Sequence, residues 1–204
     1  MATRKYDQRL RAEASEETRR RILDAVYTCL REAPAEPVAL DKVARLARVS
    51  RSTVYLVFGS RGGLFAAFAE DLLERGGFSR MLEATAHPNA REGLRGGIHG
   101  VMTMYAAHRD VLRALYSMAM LSADAVGGAV QRIEQGRAAG AYYRAMRLAD
   151  QGQLRPDVTT EEAADLLWML TGFDSFDLLY TGRSLPVDRV AERIATTAER
   201  TLCR

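Results

Sequence analysis

At 204 residues and 48% hydrophobic composition the chain is long enough to bury a substantial core, which excludes a mainly disordered protein. No run nears the about eighteen uninterrupted apolar residues of a membrane span, and Met1 to Leu10 is polar and basic rather than leader-like, so a cytoplasmic location without a membrane partner is expected. The formal charge of +3 is uneven: residues 1–64 carry 13 Lys and Arg against 8 Asp and Glu, a net +5, while residues 65–204 carry 16 against 18, a net −2. A basic first third is the pattern of a chain that meets a polyanion at that end.

Apolar residues recur at helical rather than alternating spacing almost everywhere, which predicts an all-α protein of about nine helices. Residues 1–14, with Arg4, Lys5, Arg9 and Arg11, read as a flexible basic arm. The first clear helix starts after Ser15, an N-cap followed by Glu16 and Glu17 at the positive end of the helix dipole, and carries Ile22, Leu23, Val26, Tyr27 and Leu30 on one face. Pro34 and Pro37 stop it. A second helix of barely two turns follows on Leu40, Val43, Ala44 and Leu46, and a third opens at Ser50, whose hydroxyl can cap it, with Val54 and Phe58 facing inward. Ser60 repeats the capping pattern for a fourth helix, with Leu64, Phe65, Phe68 and Leu72 on its buried stripe. Beyond Gly76-Gly77 the segments lengthen to about residues 90–107, 109–122, 127–151, 159–181 and 187–203, separated by His87-Pro88, Gly127-Gly128, Arg155-Pro156 and Leu185-Pro186.

Leu40 to Phe58 is the informative stretch: two short helices separated by Ala47-Arg48-Val49-Ser50, with small Ala44 where the helices approach and apolar Val49 where the turn tucks in. That is a helix-turn-helix, in which the second helix presents its first turn to base edges while the first props it across the backbone. Arg51, Ser52 and Thr53 occupy that first turn behind Ser50. Arg51 suits bidentate contact with guanine, and the Thr53 methyl suits a thymine methyl. Tyr55 either reaches a phosphate with its hydroxyl or simply packs. Arg48 and Arg61 flank the helix, Arg61 just inside a helix start whose free amides favour phosphate oxygens.

The pattern resembles the tetracycline-repressor (TetR) family of bacterial regulators. The likeness runs from Thr18-Arg-Arg-Arg-Ile-Leu-Asp-Ala through Val43-Ala44, Val49-Ser50-Arg51-Ser52-Thr53-Val54-Tyr55 and Phe58 to Ser60-Arg61 and Leu64-Phe65. Later residues are similar to the family in length and helical layout, and in the stretch Trp168 to Leu179 before a final amphipathic helix. Arg48 and Ser52 stand where the family commonly has glycine, Val57 where it has histidine, and Arg61 where it has lysine.

The resemblance implies a helix-turn-helix DNA-binding domain over residues 15–64 and a helical ligand-binding and dimerisation domain over residues 65–204. It implies double-stranded operator DNA and a second copy of the chain as partners. It also implies a small-molecule effector, unknown in identity, whose binding releases a repressor from DNA. For the effector pocket the candidates are Met102, Tyr105, Met118, Tyr142 and Trp168, although methionines and aromatics at helical spacing equally serve as plain core. For the dimer interface they are the stripes of the last two predicted helices: Leu167, Leu170, Phe173 and Leu178, with Val190, Ile194 and Leu202. Asp174 and Asp177, three apart on one face, either recognise a cationic ligand, pair across a dimer or sit in solvent.

Cys29 and Cys203 show no metal-ligand spacing, and His87, His99 and His108 lack ligand partners, so no metal and no cofactor are expected. No nucleophile elbow or phosphate-cradling glycine loop occurs, which argues against an enzyme. A DNA-binding regulator without a small-molecule ligand, constitutive or controlled by a protein partner, remains the alternative.

Overall fold

The structure is a computed structural model that describes residues 2–121 and 123–204. Side chains of the basic arm residues Arg4, Lys5, Arg9 and Arg11 lie outside what is described. Eleven helices and no strand occur among the described residues: α1 Ala2–Glu32, α2 Leu40–Ala47, α3 Arg51–Phe58, α4 Arg61–Arg75, α5 Phe78–Thr85, α6 Ala90–Ala107, α7 Arg109–Leu121, α8 Ala123–Asp150, α9 Thr160–Leu170, α10 Phe173–Tyr180 and α11 Val187–Leu202.

Two differences from the sequence expectation explain the count, and a third lengthens the first helix. The first helix does not begin at Ser15 but runs through residues 2–14, which hold three Ala and three Arg and contain neither Gly nor Pro, so nothing in them interrupts a helix. A short helix, α5, fills the stretch after Gly77 that periodicity had left open. The expected 159–181 helix is two, because the chain turns at Thr171-Gly172 before Phe173.

The chain divides into two compact units, residues 1–71 with 110–130, and residues 72–109 with 131–204. In the first, α1 packs on α2 and α2 on α3. Its interior gathers Ile22, Val26 and Leu30 of α1, Val43 and Ala44 of α2, Val54 of α3, and Leu64, Phe65 and Phe68 of α4, all buried. Burying such side chains contributes about 1.5 to 3 kcal/mol each, which lets an eight-residue helix such as α3 persist where it would melt in isolation.

In the second unit α6 is the hub, packed against α5, α10 and α11. Its buried stripe of Leu94, Ile98, Met102 and Tyr105 meets a core that also holds Leu148, Leu167, Phe173, Phe176, Val190, Ile194 and Leu202. Helix ends here are well satisfied. Asn89 accepts from the amides of Arg91 and Glu92 at 2.9 and 3.2 Å, and Thr159 with Glu162 forms a capping box at the start of α9. Arg147 donates to the carbonyls of Thr85 and His87, both at 2.6 Å, closing the C-terminal end of α5. Arg95 ties α6 to α11 through Glu192 and Glu199 at 2.6 and 2.8 Å.

Candidate nucleic-acid interface

The turn between α2 and α3 is built by three residues. Arg48 ends α2 in the left-handed conformation, φ 55° and ψ 45°, and the Val49 amide donates to the Ala44 carbonyl at 3.0 Å. A side chain in that conformation costs about 1 kcal/mol relative to glycine, so Arg48 is retained against a local preference. Ser50, in extended backbone, then accepts from the Thr53 amide at 3.1 Å, and its hydroxyl also lies 2.7 Å from that of Ser52 and 2.8 Å from that of Thr53. Three hydroxyls thus cluster at the N-terminus of α3, where the positive end of the helix dipole favours anionic oxygens.

Val54 is buried on one side of α3, and the other side faces solvent. Arg48, Ser50, Arg51, Ser52 and Tyr55 are exposed and Thr53 is half-buried. The Arg51 guanidinium sits 3.5 Å from the Asp41 carboxylate on α2 and 5.9 Å from the centre of the Tyr55 ring. Tyr55 and then Asp41 hold its proton above the ordinary arginine value, so it stays cationic at any working pH. The inward orientation expected for Phe58 holds in part: it is half-buried, with the Arg19 guanidinium 5.4 Å from its ring centre. Sequence reasoning missed Leu56, which is 86% exposed on this face. The signal was available, since Leu56 lies two residues from both Val54 and Phe58 and therefore off the inward stripe.

Ser60 caps α4 as expected, accepting from the Gly63 amide at 2.9 Å. A Cβ at Gly63 would overlap the Phe58 carbonyl, so only glycine lets the first turn of α4 lie against the end of α3. Arg61 is half-buried with its guanidinium 5.3 Å from the Phe65 ring centre, at a helix start where the neighbouring amides face outward.

The five effector candidates divide into groups. Met102 and Tyr105 are fully buried; the Tyr105 ring meets Phe173 edge-on at 5.4 Å and its hydroxyl donates to the Thr171 carbonyl at 3.3 Å. Tyr142 and Trp168 are 48% and 44% exposed on the same unit, with the Trp168 indole N–H donating to Glu134 at 3.1 Å. Met118, half-buried on α7, belongs to the other unit.

Most of the dimer candidates lie inside their own unit. Leu167, Phe173, Val190, Ile194 and Leu202 are buried in the single chain, where α6 packs on α10 and α11 and α9 packs on α11. On α9 Leu170 is half-buried and Met169 exposed, and on α10 Leu178 is 71% exposed. An amphipathic pattern reports that one face is covered but not by what, which is why the two possibilities are indistinguishable in sequence. Asp177 is committed within its unit, accepting from Arg109 Nε and Nη2 at 2.8 and 3.3 Å.

Two short helices joined by a left-handed turn, with a capped and solvent-facing second helix inside an all-helical chain, define a helix-turn-helix protein of the TetR-regulator fold. AibR, solved in complex with isovaleryl coenzyme A and operator DNA, matches with a TM-score of 0.63 and 15% identity over 88% of this chain and 97% of its own. A TetR family transcription regulator from Marinobacter aquaeolei matches with a TM-score of 0.69 and 17% identity over 94% of this chain and 98% of its own. In sequence the chain is 26% identical over 157 residues to the HTH-type transcriptional repressor SCO4008 of Streptomyces coelicolor, spanning 76% of this chain and 75% of that protein. No protein-family model matches the chain. The Streptomyces relative and the Marinobacter structure are named as transcriptional regulators.

Proposed function

We propose that the protein is a homodimeric transcriptional repressor that binds operator DNA through α3 and is released from it by a small molecule held in its second unit. The single observation that carries this is the Ser50-capped helix, whose first turn holds Arg51, Ser52 and Thr53 and whose outer face adds Tyr55 and Leu56. Arg51 reads guanine, Thr53 and Leu56 meet thymine methyls, and the Ser50 and Tyr55 hydroxyls with Arg48 and Arg61 hold phosphates.

One such helix covers too few base pairs to select an operator, so two copies with recognition helices about 34 to 36 Å apart act together. The exposed apolar residues Leu178 and Met169, with half-buried Leu170, are the surface of α9 and α10 available for that pairing. Effector control follows from linkage: a molecule that binds the DNA-incompetent spacing more tightly draws the population toward it, and DNA opposes it equally. No described helix is long and apolar enough to cross a membrane, which accords with action on DNA in the cytoplasm.

Footprinting with the purified protein on the DNA flanking its own gene tests this. A protected, two-fold symmetric site supports it, and uniform protection that vanishes at moderate salt refutes it. A site whose occupancy no small molecule alters would favour a constitutive regulator.

A further inference from the structure

Among the described residues of the second unit three arginines have an enclosed Nε without a hydrogen-bond partner, and Arg91 and Arg137 bond through their other nitrogens whereas Arg144 does not. Arg144 of α8 has its Nε enclosed and without a hydrogen-bond partner, and among the described residues no carboxylate pairs with it. Its guanidinium lies against bare backbone: a Cβ at Gly97 of α6 would come within 2.8 Å of its Nε and 3.2 Å of its Nη2, and one at Gly140 within 3.3 Å of its Nη1. Any larger residue at Gly97 would evict it, so helix packing makes room for a cation that no described carboxylate neutralises.

The neighbours sharpen the imbalance. Arg137, two turns earlier on α8, is matched by Glu134, which also accepts from Trp168, and it donates to the Trp168 carbonyl at 2.5 Å. Arg137 and Glu134 cancel, leaving one net positive charge at Arg144, near enough to Tyr105 for each to influence the other's ionisation, and the Tyr105 ring packs with Phe173 and Phe176. Burial pulls the guanidinium below its ordinary value, Arg137 pulls the same way, and Tyr105 opposes them. Unpaired enclosed charge is unfavourable, and one monoanion would correct it.

We propose that the effector is an amphipathic monocarboxylate whose carboxylate pairs with Arg144 while its apolar portion lies against the aromatic cluster around Tyr105. Guanidinium geometry suits a carboxylate bidentately, and a single uncompensated charge matches a monoanion rather than a phosphate ester. This rests on the effector-controlled function proposed above and names the chemical class of its ligand.

The test uses decanoate, with decan-1-ol as the uncharged match, on the full-length protein. Decanoate is expected to raise Tm in a concentration-dependent way while decan-1-ol does not, and Arg144→Met is expected to weaken decanoate binding by at least tenfold in calorimetry. Without ligand, Arg144→Met is expected to keep or raise Tm, because it removes an unpaired enclosed charge; a structural arginine would give a drop of several degrees. Equal response to the alcohol, no response to decanoate, unchanged decanoate affinity in Arg144→Met, or that drop in Tm each overturns the proposal. Decanoate that binds through Arg144 yet leaves the wild-type protein on its operator upholds the site and refutes release by ligand. An operator complex with no carboxylate binding does the reverse.

Discussion

The Arg51 guanidinium lies 3.5 Å from the Asp41 carboxylate, so the first residue of the outward-facing helix is aimed by the first turn of the helix before it. Both side chains are more than half exposed, and such a pair adds little to stability. Its consequence is for recognition. Arg51→Ala is expected to weaken specific binding by about ten- to a hundredfold and relax preference at one base position per half-site. Asp41→Asn should leave Tm unchanged while blurring that same preference. Fluorescence anisotropy against a set of single-base operator variants checks both; sequence-blind effects from both changes would remove Arg51 from base reading.

On the proposed function Arg61 meets the backbone of DNA rather than its bases. Arg61→Ala is expected to weaken all sequences alike and to reduce the slope of log affinity against log salt by about one. Binding titrations at three salt concentrations with specific and random duplexes measure the slope.

The turn carries two opposed contributions that substitutions separate. Ser50→Ala removes the cap on α3 and should cost about 1 kcal/mol, read as a Tm lower by about 2 to 4 °C. Arg48→Gly relaxes the left-handed residue and should raise stability by up to about 1 kcal/mol while weakening DNA binding through loss of a phosphate contact. A destabilised Arg48→Gly protein would show that the turn is not strained.

The proposed dimer interface falls on exposed rather than buried apolar residues. Leu178→Arg is expected to give a folded monomer by light scattering with unchanged helical circular dichroism, whereas Ile194→Arg should unfold the second unit, since Ile194 is buried in the single chain. An unaltered dimer in Leu178→Arg would move the interface elsewhere.

His108 sets an acid limit. Burial holds its imidazole below the ordinary value of 6.5, opposed by a hydrogen bond to the Arg75 backbone and reinforced by the Arg75 charge. Below that value the unfolded chain takes up a proton that the folded chain still refuses, so unfolding is favoured as pH falls from 6.5 toward the lowered folded-state value. Above that window the contribution is fully present. Urea titrations between pH 7.5 and 5 should show this decline, and His108→Gln should flatten it.

Local rules were legible for the helix-turn-helix because each part of it is decided within a few residues. Ser50 and Ser60 are capping residues by their own chemistry, and both cap as expected. Arg48 stands where the resembled family commonly has glycine, and the left-handed conformation that favours glycine is there. Leu64, Phe65, Phe68 and Leu72 share a stripe at helical spacing, and all are buried. Two boundaries failed for local reasons as well: without a breaker before Pro34, α1 extends back to Ala2, while a single Thr171-Gly172 turn divides what periodicity had joined.

What one dimension contains is period, capping chemistry and the sign of charge, because these act between residues a turn or less apart. From them came the all-helical class, the helix-turn-helix and the polar first turn of α3. Tertiary packing alone decided what each apolar stripe covers: Val190, Ile194 and Leu202 turned inward to their own unit, leaving Leu178 outside. It also decided which charges are answered, since Asp177 found Arg109 while Arg144, against Gly97 from a helix more than forty residues away in sequence, found none. Charge compensation and burial are sums over neighbours in space, and residues far apart in the chain supply most of those neighbours.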